Sequence, residues 1–328
     1  MAAVDHVGVG PEDAAPAIPA PGPTRWNNVA RAVYEVEQSY RYTYSEQVSR
    51  MSQRLVLVPP DVHGTQRLLG YGTSVQGTAD DAVNTWHTDS YGNRVWAVQA
   101  KSVPRSVTFG VRYRVERENW NLVHNSWVEE HDPGALDPFL EPTPLTMPDA
   151  RFEEAAARLH QLSPIPGIRA YRAFHWTAAA ISYRTGVTEV QTTASGALNG
   201  GIGVCQDFAH IMLTVLRLMD IPARYVSGHL LGRGAPHAWV EALLPEAPGS
   251  CSVRVVAYDP SNRAEPGLNY IAVAVGRDFA DVSPTSGTYF GSASSTLTFE
   301  KNADVVEVEY GRERRTSSIR VAPAVVSE

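Results

Sequence analysis

Hydrophobic and polar positions alternate with a period of two over much of residues 32–117, as they do in β-strands with one buried face. In the first of these segments one face collects Tyr34, Val36, Gln38 and Tyr40, and the other collects Val33, Glu35, Glu37 and Ser39. Similar segments follow at 52–60, where two prolines end the strand, and at 106–118. Residues 87–100 predict a hairpin, because Gly92 and Asn93 tolerate the positive φ of a tight turn. The pattern predicts an antiparallel β domain.

The period changes after residues 132–148, a segment with five prolines that indicates an extended linker. Asp149 is placed to cap a helix over 150–162, and a second helix is predicted over 167–183. The clearest helix covers 205–219. Its apolar stripe, at helical spacing, is formed by Phe208, Ile211, Met212, Val215, Leu216 and Met219.

Three strand-like segments follow the clearest helix, at 223–231, 236–244 and 253–259, and residues 303–310 predict a last strand. A few helices followed by an antiparallel sheet indicate an α+β unit. The predicted organisation is therefore a disordered arm (1–30), an N-terminal β domain (31–130), a linker (131–148), an α+β core (149–312) and a tail (313–328).

Composition excludes several classes of protein. The chain has 328 residues with 43% hydrophobic side chains, enough to bury a sizeable core. Its formal net charge is -7, so it offers no basic field for nucleic acid. The first thirty residues lack the basic start and apolar run of a signal peptide, and no apolar stretch is long enough to span a membrane. We therefore expect a cytoplasmic protein with no nucleic-acid or membrane partner. Two cysteines 46 positions apart do not indicate a disulfide framework.

Cys205 lies where a glycine-rich segment, 199–204, meets the clearest helix. A helix N-terminus directs unpaired backbone N–H groups outward, and such a position lowers the pKa of a thiol from about 8.5 to about 3.5–7.5. The same N–H groups can hold the oxyanion of an acyl-transfer reaction. These features favour a nucleophilic cysteine, whereas a small core residue is the ordinary alternative.

His237 and Asp259 can supply a base and the carboxylate that orients it. His237 begins one predicted strand, 32 residues after Cys205, and Asp259 ends the next strand, 22 residues further on. If the two strands pair antiparallel, the beginning of one lies beside the end of the other, and the carboxylate can fix the imidazole tautomer. The helix packed on this sheet would bring Cys205 to the same edge.

Four motifs occur in order in this half of the chain: GVCQDFAH (203–210), IPARYVSGHL (221–230), HAWVEALLP (237–245) and YDPSN (258–262). They resemble the core of the bacterial transglutaminase-like superfamily, a papain-like fold of cysteine peptidases and acyl transferases. Residues 41–60 and 89–95 are similar to the N-terminal β domain that accompanies this core in many bacterial members, and residues 274–299 resemble the C-terminal segment of the family. The resemblance implies a catalytic triad of Cys205, His237 and Asp259.

The resemblance leaves the rest of the site open. No motif fixes the second oxyanion donor, for which Trp176, Tyr183 and Gln191 are candidates, and Gln206 is a candidate for orienting the site. Asp207 is expected to cap the helix, because the helix dipole favours a carboxylate in the first turn by about 0.3–1 kcal/mol. Contact between Asp207 and a substrate amine is the alternative.

Other side chains receive structural interpretations. His210 follows Cys205 by five residues, which is about 500° of helical turn, so the two side chains diverge by about 140° and do not suit one metal ion. We expect a buried, hydrogen-bonded His210, a His229 that faces solvent or the cleft rim, a Trp239 in the core and a structural Cys251. The sequence indicates no cofactor and no metal.

The chemistry implied by the resemblance is attack of Cys205 on the carbonyl of a peptide, amide or thioester substrate. Release of the acyl group to water gives a peptidase or amidase, which we prefer because family members with this N-terminal domain are commonly described as peptidase-like. Release to an amine acceptor gives a transglutaminase or an amide-forming biosynthetic acyltransferase. A binding protein that keeps the fold without catalysis is the remaining alternative.

Overall fold

A computed structural model describes residues 2–5, 26–78, 82–119, 126–132, 134–247 and 250–311. The strands before the helical region are β1 (Ala2–Asp5), β2 (Val29–Tyr44), β3 (Val48–Val58), β4 (Val62–His63), β5 (Gln66–Gln76), β6 (Val83–Thr88), β7 (Arg94–Val103), β8 (Ser106–Glu118) and β9 (Ser126–Glu130). Short 3-10 turns lie at Trp26–Asn28 and Asp137–Phe139.

The remaining elements comprise the helices and the strands that follow residue 149. The helices are α1 (Ala150–Gln161), α2 (Pro166–Ala180), α3 (Ala194–Gly200), α4 (Cys205–Leu218) and α5 (Phe279–Val282). The strands are β10 (Ser182–Tyr183), β11 (Ile202–Gly203), β12 (Ala223–Leu230), β13 (Gly232–Arg233), β14 (His237–Pro245), β15 (Ser252–Tyr258), β16 (Tyr270–Gly276), β17 (Thr285–Phe290) and β18 (Ser295–Tyr310).

Two antiparallel sheets form the unit that we call the β unit. One has the strand order β13-β18-β2-β8-β5-β4 and the other β1-β17-β3-β7-β6. The face of β2 that carries Tyr34 and Val36 is buried, as the alternation of hydrophobic and polar residues along this strand predicts. Residues from both sheets share one hydrophobic core, in which the rings of Trp96 and Phe109 meet edge to face at 6.0 Å.

A third sheet, with the order β16-β12-β14-β15-β9, carries the helices and forms the core unit. The apolar stripe of α4 packs on β12 and β14, and a second hydrophobic cluster joins it to α1, α2 and α3. Asp149 caps α1, because its carboxylate accepts hydrogen bonds from the N–H groups of Arg151 and Phe152. The predicted α+β fold, with helices on an antiparallel sheet after an antiparallel β region, is confirmed.

The sheets do not follow the predicted domain boundaries. Strand β9, from the predicted N-terminal domain, pairs with β15 of the core unit. Strands β17 and β18, from the predicted core, pair with β3 and β2 of the β unit. Composition changes along the chain suggest boundaries, whereas strand pairing joins segments far apart in sequence and leaves no mark in composition. The boundaries themselves stay predictions.

In the part of the chain that the structure describes, no helix has the length and apolar character needed to cross a membrane.

Candidate active site

Cys205 is the first residue of α4 and is half-buried. The chain reaches it through α3, a turn at Gly201 with φ 68°, and the short strand β11. This positive φ favours glycine, which explains part of the glycine-rich segment before the cysteine. Because the first N–H groups of a helix have no partner within it, Cys205 lies at a position that suits both a thiolate and an oxyanion.

Asp207 caps the helix that carries Cys205. Its Oδ2 accepts hydrogen bonds from the Val204 N–H at 2.8 Å and from the Thr188 hydroxyl at 2.7 Å. Burial raises the pKa of Asp207 from its ordinary value, while these two donors lower it. A Cβ atom at Gly203 would lie 2.7 Å from the Asp207 Cβ, so only glycine fits beside the cap. The predicted capping role of Asp207 is confirmed.

His237 and Asp259 form a buried pair at the edge of the core sheet. The His237 Nε2 lies 2.6 Å from the Asp259 Oδ2, and their side chains are 6% and 0% exposed. Burial lowers the pKa of His237, but the charges of Asp259 and Cys205 outweigh it and raise the pKa to about 10. Burial likewise opposes the ionised form of Asp259, and His237 overcomes this to lower its pKa to about 2. The pair is therefore held as an imidazolium and a carboxylate.

Asp259 accepts hydrogen bonds from several groups besides His237. The Ser261 N–H, the Ser261 hydroxyl and the Asn262 N–H donate to Oδ1 at 3.0, 2.7 and 3.1 Å. The Asn262 side-chain amide and the Tyr270 hydroxyl donate to Oδ2, each at 2.8 Å. Sequence reasoning missed the roles of Asn262 and Tyr270. The YDPSN motif contains Asn262, but Tyr270 lies outside it and only the fold brings it to Asp259.

The imidazole of His237 can bridge Asp259 and Cys205. Asp259 occupies Nε2, so Nδ1 is the ring nitrogen left for a second partner, and the nearby charge of Cys205 contributes to the raised pKa of His237. The Trp239 ring stacks on His237 with centroids 6.4 Å apart, as a buried residue of the core sheet. A Cβ at Gly228 would lie 2.5 Å from the Trp239 ring, so glycine is required where the two strands pair.

Tyr183 and Gln206 lie close to Cys205. Burial raises the pKa of Tyr183, and the nearby charge of Cys205 adds to this effect. The Tyr183 ring stacks on Phe208 of α4 with centroids 6.4 Å apart. Gln206 is buried, and its side-chain amide donates to the Val190 carbonyl at 3.0 Å, so it fastens the preceding loop to the helix. The geometry supports Tyr183 as a neighbour of the nucleophile.

The surroundings of Trp176 and Gln191 differ, and an oxyanion role for either side chain stays a prediction. Trp176 belongs to α2, is half-buried, and meets the Phe152 ring edge to face at 6.4 Å. Gln191 is exposed in the turn before α3. Within the described residues, neither side chain hydrogen-bonds to Cys205, His237 or Asp259.

The two other histidines of this region behave differently. His210 is buried and accepts a hydrogen bond from the Phe279 N–H at 3.2 Å, as predicted. Burial lowers the pKa of His210 to about 3. The prediction for His229 is wrong: it is 3% exposed and lies against the Tyr113 ring with centroids 6.5 Å apart. Both faces of β12 are covered, by α4 and by the β unit, so no residue of this strand reaches solvent.

The described residues contain no group of three His, Cys, Asp or Glu side chains that could hold a metal ion. Neither cysteine forms a disulfide. Cys251, predicted to be structural, is exposed. The chemistry available at the site is thus that of a thiol at a helix N-terminus beside a buried imidazolium and carboxylate, the arrangement of a cysteine-dependent acyl-transfer site.

Comparison with known proteins agrees with this class. The chain matches the family description "Transglutaminase-like superfamily" over residues 154–250 and "Bacterial transglutaminase-like N-terminal region" over residues 34–116. An uncharacterized protein of Mycobacterium leprae is 33% identical over 226 residues, which cover 64% of this chain and 78% of that protein. An uncharacterized protein of Mycobacterium tuberculosis is 34% identical over 139 residues, which cover 39% of this chain and 43% of that protein. The chain belongs to the transglutaminase-like superfamily.

A solved structure of a proposed cysteine protease from Cytophaga hutchinsonii has the same fold, with a TM-score of 0.68 at 19% identity over 86% of this chain and 93% of that chain. The family match over 154–250 includes Cys205 and His237 and ends before Asp259. The position of Asp259 beside His237 is therefore an observation of the structure alone.

Proposed function

We propose that the protein is a cysteine-dependent hydrolase of amide or peptide bonds, with Cys205, His237 and Asp259 as its catalytic residues. The observation that carries this proposal is the buried contact of 2.6 Å between His237 and Asp259, on a histidine whose raised pKa includes a contribution from Cys205. A carboxylate in this position orients the imidazole and stabilises its protonated form, which a catalytic histidine requires.

The reaction follows from these positions. The Cys205 thiolate attacks the carbonyl carbon of the substrate, and backbone N–H groups at the start of α4 hold the resulting oxyanion. The carbon–sulfur bond forms and the carbon–nitrogen bond breaks as the His237 imidazolium gives its proton to the leaving amine. The neutral imidazole then takes a proton from water, and the water oxygen attacks the thioester carbon. The carbon–oxygen bond forms and the carbon–sulfur bond breaks, which releases the carboxylic acid and restores the Cys205 thiolate beside the His237 imidazolium. Asp259 keeps the ring oriented throughout.

Transfer of the acyl group to an amine is the second candidate, and membership of the transglutaminase-like superfamily favours it. The same residues carry the first half of that reaction. In the second half an amine replaces water as the attacking group, and His237 takes its proton. The two outcomes differ in the acceptor that reaches the thioester, since exclusion of water favours the amine.

The thiol chemistry can be tested without a known substrate. The folded protein is alkylated with iodoacetamide over a range of pH, and the two cysteine peptides are quantified separately by mass spectrometry. Because Cys205 is half-buried and Cys251 is exposed, access alone would make Cys205 the slower of the two. We expect the opposite near pH 5.5, with Cys205 faster by about tenfold or more. His237→Ala is expected to remove this advantage and leave Cys251 unchanged.

An equal or slower rate for Cys205 in the wild type would refute the proposal. The type of acceptor is then identified with a panel of peptides, amides and thioesters, with and without added amine. Intact-mass analysis of the wild type is expected to show an acyl adduct that Cys205→Ala lacks. Incorporation of heavy oxygen from labelled water into the product identifies hydrolysis, and a product carrying the added amine identifies transfer.

A further inference from the structure

The segment that leads into β16, residues 267–270, lies between the β unit and the candidate active site. Arg117 of β8 donates from Nη1 to the carbonyl of Gly267 at 2.6 Å and also to the carbonyl of Tyr270. The hydroxyl of Tyr34, from β2, donates to the carbonyl of Leu268. The β unit therefore holds three carbonyls of four consecutive residues.

Tyr270, the last residue of this segment, reaches the Asp259–His237 pair. Its hydroxyl donates to the Asp259 Oδ2 at 2.8 Å, on the same oxygen that receives His237. Its ring lies against His237 and Trp239, with centroids 5.9 and 5.4 Å apart. Tyr270 is 2% exposed, and burial raises its pKa, so the hydroxyl stays protonated and remains a donor.

We propose that Tyr270 is a positioning residue for the His237–Asp259 pair, and that the β unit controls this position through Tyr34 and Arg117. The β unit is then part of the active-site scaffold and more than an attached module. This inference rests on the proposed function, because it concerns the imidazolium that accompanies the Cys205 thiolate. It assigns a role to contacts that reach the site from strands β2 and β8, about 150 and more residues away in sequence.

The expected consequence concerns the fall in Cys205 reactivity at low pH, which is the acid limb of its rate–pH profile. The titratable groups facing Asp259 are His237 from β14, Tyr270 from β16 and Tyr183 from β10, with Cys205 beyond the imidazole. Removing the Tyr270 hydroxyl takes one donor from the carboxylate, which then protonates at higher pH and holds His237 less firmly. His237 stays protonated as the pH falls, but an imidazolium that is held less firmly attracts the Cys205 thiolate less, so the thiolate is protonated at a higher pH than in the wild type.

The test compares Tyr270→Phe and Tyr34→Phe with Tyr113→Phe in the full chain. Tyr113 is a matched control, because it is a buried tyrosine of the same β unit and its hydroxyl has no hydrogen-bond partner among the described residues. The rate of Cys205 alkylation by iodoacetamide is measured against pH, with Cys251 as the internal reference. We expect the acid limb to move up by about one pH unit in Tyr270→Phe. Tyr34→Phe moves it in the same direction by a few tenths of a unit, and Tyr113→Phe leaves it in place.

An unmoved acid limb in Tyr270→Phe, with the folded state verified by circular dichroism, overturns the positioning role. If Tyr270→Phe does not fold, the test rests on Tyr34→Phe. An acid limb at the same pH in Tyr34→Phe and Tyr113→Phe then overturns control by the β unit. A purely structural role for either tyrosine would lower the melting temperature without moving the limb. If Cys205 in the wild type shows no enhanced reactivity at low pH, the proposed function itself fails, which is a distinguishable outcome.

Discussion

Replacing Asp259 by Asn removes the charge that keeps His237 protonated. In the wild type burial lowers the pKa of His237, and Asp259, 2.6 Å away, is the largest effect that raises it, to about 10 overall. In the variant, only Cys205 raises the pKa of His237 against the lowering effect of burial. We expect the pKa of His237 to fall by at least about two units, which corresponds to roughly 3 kcal/mol.

The magnitude agrees with simple electrostatics. Opposite unit charges whose centres lie about 4 Å apart attract by about 4 kcal/mol at an effective dielectric constant near 20. At about 1.4 kcal/mol per pKa unit, this attraction is close to three units. Asn can still accept or donate one hydrogen bond at the same position, so the variant isolates the charge from the shape of the side chain.

The assay is a titration of histidines labelled with carbon-13, followed by NMR, in which the signal of His237 is identified by its absence from His237→Gln. The second measurement is the free energy of unfolding as a function of pH. A folded-state pKa above the ordinary 6.5 contributes stability that is fully present below about pH 6.5 and is lost as the pH rises through about 10. The free energy of unfolding of the wild type is thus expected to fall over that window. In Asp259→Asn this fall is largely absent.

The reasoning is refuted if His237 titrates in Asp259→Asn within about half a pKa unit of the wild type. In that case the field at the imidazole would come from other groups, and the role given to Asp259 would be wrong. A variant that no longer folds is replaced by Ser261→Ala, which removes the hydroxyl donor to Asp259, keeps the backbone N–H donor and keeps the charge of the carboxylate.

Two further predictions concern α4. Gly203→Ala places a Cβ 2.7 Å from the Asp207 side chain, so we expect urea unfolding to show a loss of about 2 kcal/mol and slower alkylation of Cys205. Gly200→Ala, whose added Cβ finds its nearest neighbour at 3.9 Å, is the matched control and should leave both unchanged. His210 is buried with a pKa of about 3, so its contribution to stability is complete above about pH 6.5 and is lost as the pH falls toward 3. His210→Gln, which can still accept from the Phe279 N–H, should flatten the acid loss of stability in that window, and an unchanged slope would contradict this assignment.

The sequence predicted the parts of the site that local patterns encode. The helix stripe and the glycines before it locate Cys205, and strand alternation locates His237 and Asp259 at adjacent strand ends. A carboxylate in the first turn predicts the cap at Asp207. Each of these inferences needs only a few neighbouring residues and one element of regular structure.

Contacts between distant segments could not be predicted in this way. Tyr270 begins a strand, and nothing in its neighbourhood distinguishes it from a core tyrosine until the strand is placed beside Asp259. The error at His229 has a similar origin. Alternation predicts an exposed face for a strand with one buried side, and β12 is buried on both sides because the β unit covers the face opposite α4.

The β unit also reaches the strand of the candidate base at a second point. Glu241 lies four residues after His237 on β14, and since side chains alternate along a strand, both are on the same face of the sheet. His63 of the β unit lies 2.9 Å from Glu241, which also accepts from Arg224 at 2.6 Å. These partners lower the pKa of the buried Glu241 to about 2 against the effect of burial.

Strand β14 is thus fixed at one end by the Asp259–Tyr270 contacts and further along by the contacts of Glu241 with His63 and Arg224. Both sets of contacts continue into the β unit, through Tyr34 and Arg117 in one case and through His63 in the other. Strands β17 and β18 pair with β3 and β2 of the β unit. Along the sequence, the core unit therefore lies between two parts of the β unit. A unit that fixes the base strand at Glu241 and, through Tyr270, at Asp259 restricts the motion of the imidazole, which is the requirement for a catalytic group held in one orientation.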